Sequence, residues 1–214
     1  TSSFTASTLD INNEDFLKKK MNFIGNGKSK SVQNNGKIII GDKGHGALLG
    51  GQISNAGIVS ARLGKIALGA GEKITLDFVG DGLMSVSVPS EKLGIIKDIK
   101  GNTLESLISN TGLLKANGGI IKLSAATAKS LSRSSVNIGS SGVIIARSVN
   151  DKTGKVVIGS PTNNKIKIAG KIDVSGHKSL TPSHNLGYLV KFFGEFVLDS
   201  YFLILNLKPF FLYF

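Results

Sequence analysis

Three short stretches carry the side chains best suited to chemistry. Gly25-Asn26-Gly27-Lys28-Ser29 has the closing half of a phosphate-binding loop, in which backbone amides and a lysine cradle anionic oxygens. Asn22 stands where that loop requires its first glycine, so the stretch reads as a polar turn. Gly44-His45-Gly46-Ala47-Leu48-Leu49-Gly50 approaches a dinucleotide loop, but Gly50 falls one residue late and no ribose-binding acid follows at the right distance. It reads as a corner between strands. Glu72, Asp77 and Asp81 lie close enough in sequence to evoke the paired carboxylates of glycoside cleavage. Strand alternation and an Asp-Gly turn account for all three. His45, His177 and His184 have no metal-ligand spacing, there is no cysteine, and no Gly-x-Ser-x-Gly elbow presents a serine. No catalytic, cofactor-binding or metal residue is therefore assigned, and no cofactor is expected.

The elements that would hold these residues come from a repeat. Gly36, Gly57, Gly112, Gly142 and Gly170 each open one short pattern. At +2 stand Ile38, Val59, Leu114, Ile144 and Ile172, and at +4 stand Ile40, Ala61, Ala116, Ala146 and Val174. Apolar identity at alternate positions marks a strand with one buried face. Gly64, Gly119 and Gly154 open a second half, with Ile66 and Leu68, Ile121 and Leu123, and Val156 and Ile158 at the same offsets. In the last of these, Ser148 to Thr153 form a polar outward loop. Lys165-Ile166-Lys167-Ile168 repeats the alternation once more. Asn34, Asn55 and Asn110 sit two residues before their glycines, where the fourth copy has Ser140. Asparagine tolerates left-handed corners, and stacked copies form amide ladders. A repeated unit that cannot bury its apolar face alone must stack on its neighbours, which predicts an all-β parallel β-helix.

Between Leu68 and Asn110 the repeat is interrupted. Gly71 to Phe78 alternates, Val79-Gly80-Asp81-Gly82 turns, and Met84, Val86 and Val88 alternate again before Pro89. Asp-Gly between alternating strands predicts an antiparallel hairpin inserted into the coil. Leu104 to Ile108 is read as a short helical or strand return.

The chain has 214 residues, with 27 glycines, 4 prolines and a 41% hydrophobic fraction, too apolar for disorder. Its net charge of +12 is concentrated in residues 111–185, where 11 basic side chains meet only Asp151 and Asp173. Such a half could meet nucleic acid, anionic lipid or acidic glycan. Base-stacking aromatics are absent there, so nucleic acid ranks last. Many lysines, including Lys122, Lys155 and Lys167, occupy outward strand positions of a solvated face. A β-helical carbohydrate-active enzyme would need converging carboxylates, yet between Ser106 and Gly170 the sole acid is Asp151.

Gly64 to Leu83, running through Gly71-Glu72-Lys73-Ile74-Thr75-Leu76-Asp77-Phe78-Val79-Gly80-Asp81-Gly82, resembles the filamentous haemagglutinin amino-terminal domain. That is the secretion (haemagglutination activity) domain of two-partner-secretion exoproteins of Gram-negative bacteria. Ala6-Ser7-Thr8-Leu9-Asp10-Ile11 with Phe16, Ser54 to Ile58, Asn110 to Leu123, and Ile172-Asp173-Val174-Ser175-Gly176 are similar to further parts of it. The resemblance runs from Ala6 to Gly176 and implies a right-handed parallel β-helix without an active site. It also implies secretion to the medium or cell surface through an outer-membrane pore protein. Folding nucleation of a long shaft would follow, with adhesion to a host-cell surface or acidic glycan as the wider purpose. The family's Asn-Pro-Asn motif is absent, and Phe16-Leu17-Lys18-Lys19-Lys20 is basic where the family has a small-residue turn.

Two segments are expected. Residues 1–176 form a partial β-helix domain lacking its amino-terminal cap, with exposed strand edges that favour aggregation. Residues 177–214 form a divergent hydrophobic tail, whose last 29 residues hold 10 of the 14 aromatics. Charges at Lys191, Glu195, Asp199 and Lys208 interrupt it, so no transmembrane span is predicted. The start on Thr1, the absence of a signal peptide and the change in composition read as a fragment of a larger adhesin gene whose tail follows a frameshift. The alternative reading is a basic glycan- or anionic-surface-binding β-helix.

Overall fold

The computed structural model describes residues 2–27, 29–77, 83–87, 105–126, 134–149, 151–159, 165–176, 189–193 and 196–198. In it, the repeat closes into stacked three-strand coils. The first coil comprises β3 (Ser31–Asn34), β4 (Lys37–Ile40) and β5 (His45–Gly50). The second comprises β6 (Gln52–Asn55), β7 (Ile58–Ala61) and β8 (Lys65–Ala70). The third is β11 (Ser106–Asn110), β12 (Leu113–Lys115) and β13 (Ile120–Ala125), and the fourth is β14 (Ser134–Ile138), β15 (Val143–Ile145) and β16 (Lys155–Gly159). A fifth begins with β17 (Ile166–Ile168) and β18 (Lys171–Asp173) and continues into β19 (Leu189–Phe193).

Corresponding strands stack in parallel into three sheets. The broad sheet has the order β1-β5-β8-β13-β16-β19, with β1 (Ser3–Ser7) ahead of the first coil. The ladder sheet runs β20-β17-β14-β11-β6-β3, where β20 is Phe196–Leu198, and the short sheet runs β18-β15-β12-β7-β4. The glycine-led strands are those of the short and broad sheets, and the predicted inward residues meet in one core. Ile53, Ile66, Leu68, Ile108, Leu114, Ile121, Leu123, Val136, Ile144, Val156, Ile158 and Ile166 are all fully shielded there. Each side chain so covered contributes roughly 1.5–3 kcal/mol. Parallel strands of such short span depend on this shared interior.

Close stacking explains the leading glycines. A Cβ on Gly112 would overlap the carbonyl oxygen of Gly57 in the coil before it. The turns from short to broad sheet are equally constrained. Lys43 and Leu63 take left-handed backbone (φ 63° and 54°), as Gly118 does at the same position of the third coil (φ 67°).

The structure corrects several expectations. His45–Gly50 is a full strand of the broad sheet, with His45 beside Lys65 and Leu48 beside Leu68; the corner is confined to the residues before it. Asn34, Asn55 and Asn110 end strands and do not take the left-handed conformation. Ser140 is not their counterpart: Asn110 pairs with Ile138, because four residues separate Ile138 from Val143 where two separate Asn110 from Leu113. Of the helical and strand readings of the Leu104–Ile108 return, the structure selects strand, from Ser106 onward, and Leu104 lies outside the described residues. Among the described residues there is one short helix, α1 (Asn13–Leu17); Asn12 caps it by accepting from the Asp15 amide at 2.7 Å. In the tail, β19 and β20 extend the broad and ladder sheets; the remainder of residues 177–214 lies outside the described residues.

Candidate functional site

The predicted hairpin is β9 (Lys73–Asp77) and β10 (Leu83–Ser87), antiparallel, with Leu76 opposite Met84 and Ile74 opposite Val86. Its turn, with Asp81, lies outside the described residues. A third strand, β2 (Met21–Ile24), completes the sheet by pairing with β9, Phe23 opposite Ile74. This cover sheet lies on the outer face of the broad sheet and builds a second core. Leu9, Phe23, Ile74, Leu76, Leu83, Met84 and Val86 pack against Ala47, Leu49 and Ala67. Strands buried on both faces read as continuous apolar runs. Hence Ile66-Ala67-Leu68-Gly69-Ala70 does not alternate, whereas β13 places polar Lys122 opposite Ala67.

At the rim of this sheet, the phosphate-loop-like stretch does hold an anion, one supplied by the chain. The Glu72 side chain is 2% exposed. Its carboxylate accepts from the Gly27 amide at 2.9 Å, the Ser29 amide at 3.2 Å and the Ser29 hydroxyl at 2.8 Å. The Gly25 amide donates to the Glu72 carbonyl at 2.7 Å. Lys28 lies outside the described residues. Glu72 does not join Asp77 in a catalytic pair, since Asp77 is exposed on the far end of β9.

A second polar arrangement runs inside the coils. The Asn34 amide donates to Asn55 Oδ1 at 2.8 Å, Asn55 to Asn110 Oδ1 at 2.7 Å, and Asn110 to the Gly112 carbonyl at 3.2 Å. The expected amide ladder thus spans three coils and ends at Ile138.

Among the described residues, the strand lysines of residues 111–185 are spread over three sheets. Lys122 and Lys155 lie on the broad sheet, Lys115 and Lys171 on the short sheet, and Lys167 on the ladder sheet. Burial, and then Lys155, push the Lys122 ammonium below the usual lysine range. Burial followed by Lys65 does the same to His45, on the first coil. His177 and His184 lie outside the described residues. Arg147 bonds Asp173 Oδ2 at 2.7 Å and 3.0 Å. Burial alone would raise the Asp173 carboxyl, but bonds from Arg147 and Ser175 bring it down to about 2. No group of three or more histidines, aspartates or glutamates among the described residues could hold a metal ion.

At the first-coil end the main core reaches solvent. β1, β3 and β4 are the end strands of their sheets, and the core positions Ala6, Val32 and Ile38 are only partly buried. Phe4, Phe16, Leu17 and Ile24 are exposed on the elements around it.

A parallel β-helix with an antiparallel cover and exposed apolar side chains at its first coil defines the class of architecture. No protein-family model matches the sequence, and no curated protein matches it. Among solved structures, the chain is similar to the HMW1 secretion domain from Haemophilus influenzae. The two are 30% identical, the match covers 82% of this chain, and the TM-score is 0.55. It takes in 49% of that chain, so this chain spans about half the length of the secretion domain. Among the described residues, no helix is long and apolar enough to cross a membrane.

Proposed function

We propose that this chain is a secretion and folding-nucleation domain of a large exported adhesin of the filamentous haemagglutinin kind. The observation that carries this reading is the 30% identity to a secretion domain across 82% of the chain. In this reading residues 1–176 are the β-helical part of such a domain. The chain engages an outer-membrane pore protein, crosses while unfolded, and folds outside. It performs no catalysis.

The physics of the coils supports that role. In a solenoid each repeat contacts only its neighbours, so completed coils template later ones as they emerge. The growing end gains roughly 1.5–3 kcal/mol for each large apolar side chain it covers, which gives export a direction without a nucleotide. The spread of lysines over three faces disfavours a single glycan-binding patch, and adhesion is assigned to the intact protein.

The test is export from a Gram-negative host. The chain, directed to the periplasm by a cleavable leader, is expressed with and without a two-partner-secretion pore protein. Pore-dependent appearance in the medium is expected. Equal release in both strains, or retention in both, would overturn the reading.

A further inference from the structure

We propose that the Gly25–Ser29 loop is a carboxylate receptor whose ligand is Glu72, and that its closure locks the cover sheet to the first coil. The loop ends β2 on one side and leads into β3 on the other, so it joins the cover sheet to the ladder sheet. Two backbone amides and one hydroxyl converge on the Glu72 carboxylate. Gly27 is left-handed at φ 81°, a backbone reversal of the kind that turns nearby N–H groups toward one anion. Gly25 is shaped to the ligand, because a Cβ there would overlap Glu72 Oε2 and the Ser29 hydroxyl. Lys30, which follows the loop, is anchored to the coil stack: the Gly51 amide, between the first and second coils, donates to its carbonyl at 3.0 Å, and Thr8 Oγ1, after β1, donates to the same oxygen at 2.7 Å.

The ligand arrives late in the chain. Glu72 follows Gly27 by 45 residues and Ser29 by 43. It sits directly before β9, with Gly71 between it and β8, the strand that completes the second coil. The loop therefore closes only once two coils and the start of β9 exist. In vectorial export, which rests on the proposed function, this makes closure a checkpoint on the first coils. The receptor itself does not depend on that reading.

The full chain is the test object, with amide hydrogen exchange as the readout. Glu72→Ala removes the CH2–COO− group and leaves a space of acetate's shape. Exchange protection at Gly27 and Ser29 is expected to fall at least about tenfold, the value of a charge-assisted hydrogen bond. Acetate should restore it saturably, while chloride at equal ionic strength should not. Wild-type protection in Glu72→Ala, or recovery no better with acetate than with chloride, would overturn the receptor. Should Glu72→Ala fail to fold, Glu72→Gln decides: a loss of about tenfold at the same amides supports it, and unchanged protection overturns it. In pulse-labelled refolding the two amides should become protected with β9. Protection before β9 overturns the ordering, and pore-independent export would leave the receptor result untouched.

Discussion

The Asn55 side chain donates to Asn110 Oδ1 at 2.7 Å, across 55 residues of sequence and with both side chains fully buried. The Asn34 and Asn55 amides are each satisfied by the next coil, and Asn110 closes the column on the Gly112 carbonyl of its own coil, so the polar interior is stable only while coils remain in register. Asn55→Ala removes the acceptor of Asn34 and the donor to Asn110 together. Leaving a buried group unpaired costs about 1–3 kcal/mol. Urea denaturation should show a loss of about 2–3 kcal/mol with unchanged m. A loss under about 0.5 kcal/mol, the size of an ordinary surface change, would show that the column is not structural.

Gly112→Ala should be the more damaging of two superficially equal substitutions. Its Cβ would meet the Gly57 carbonyl oxygen and the Ala56 backbone, neither of which can swing aside. At Gly139 the nearest atom to a new Cβ is the Thr111 methyl at 2.9 Å, the end of a side chain. Thermal unfolding should place Gly112→Ala about 3 kcal/mol below wild type and Gly139→Ala within about 1 kcal/mol of it. Equal losses would contradict the stacking account.

The cover sheet should unfold separately from the coils. Met84 is 2% exposed and belongs to the second core, so Met84→Ala should cost about 2–4 kcal/mol there. Exchange protection should drop in β9 and β10 while Leu114 and Ile121, in the main core, keep theirs. Loss of protection throughout would mean that the two cores form one cooperative unit.

Acid should weaken the fifth coil through Asp173. Its folded value of about 2 lies below the ordinary aspartate value near 3.9. A carboxyl depressed on folding contributes stability that is complete above its unfolded value and is lost as pH falls through its folded one. The window is therefore about pH 4 to 2. Arg147 is half exposed, and solvent screening reduces the contribution to about 1 kcal/mol. Asp173→Asn should be less stable than wild type at neutral pH and should flatten the acid limb. An unchanged limb would assign the acid response to other carboxylates.

The sequence by itself determined the coils. Period-two alternation behind Gly36, Gly57, Gly112, Gly142 and Gly170 named the inward residues, because a strand with one buried face can have no other pattern. The hairpin was legible because two alternating runs flank a local turn signal, and the amide ladder because asparagine recurs at one position of successive copies. Tertiary structure decided the rest. β2 joins β9 across some fifty residues, and alternation says which side of a strand is buried without saying what covers it. Lys43 and Leu63 hold left-handed corners against their intrinsic preference, since the stacked coils on either side dictate the turn. Ile138 replaces asparagine in the ladder because strand register, set by the packed core, absorbs the longer Gly139–Gly142 corner. Glu72 read as part of an alternating strand, and only folding brought its carboxylate under the amides of Gly27 and Ser29. A carboxylate is buried where donors converge on it, and that convergence is a property of three dimensions.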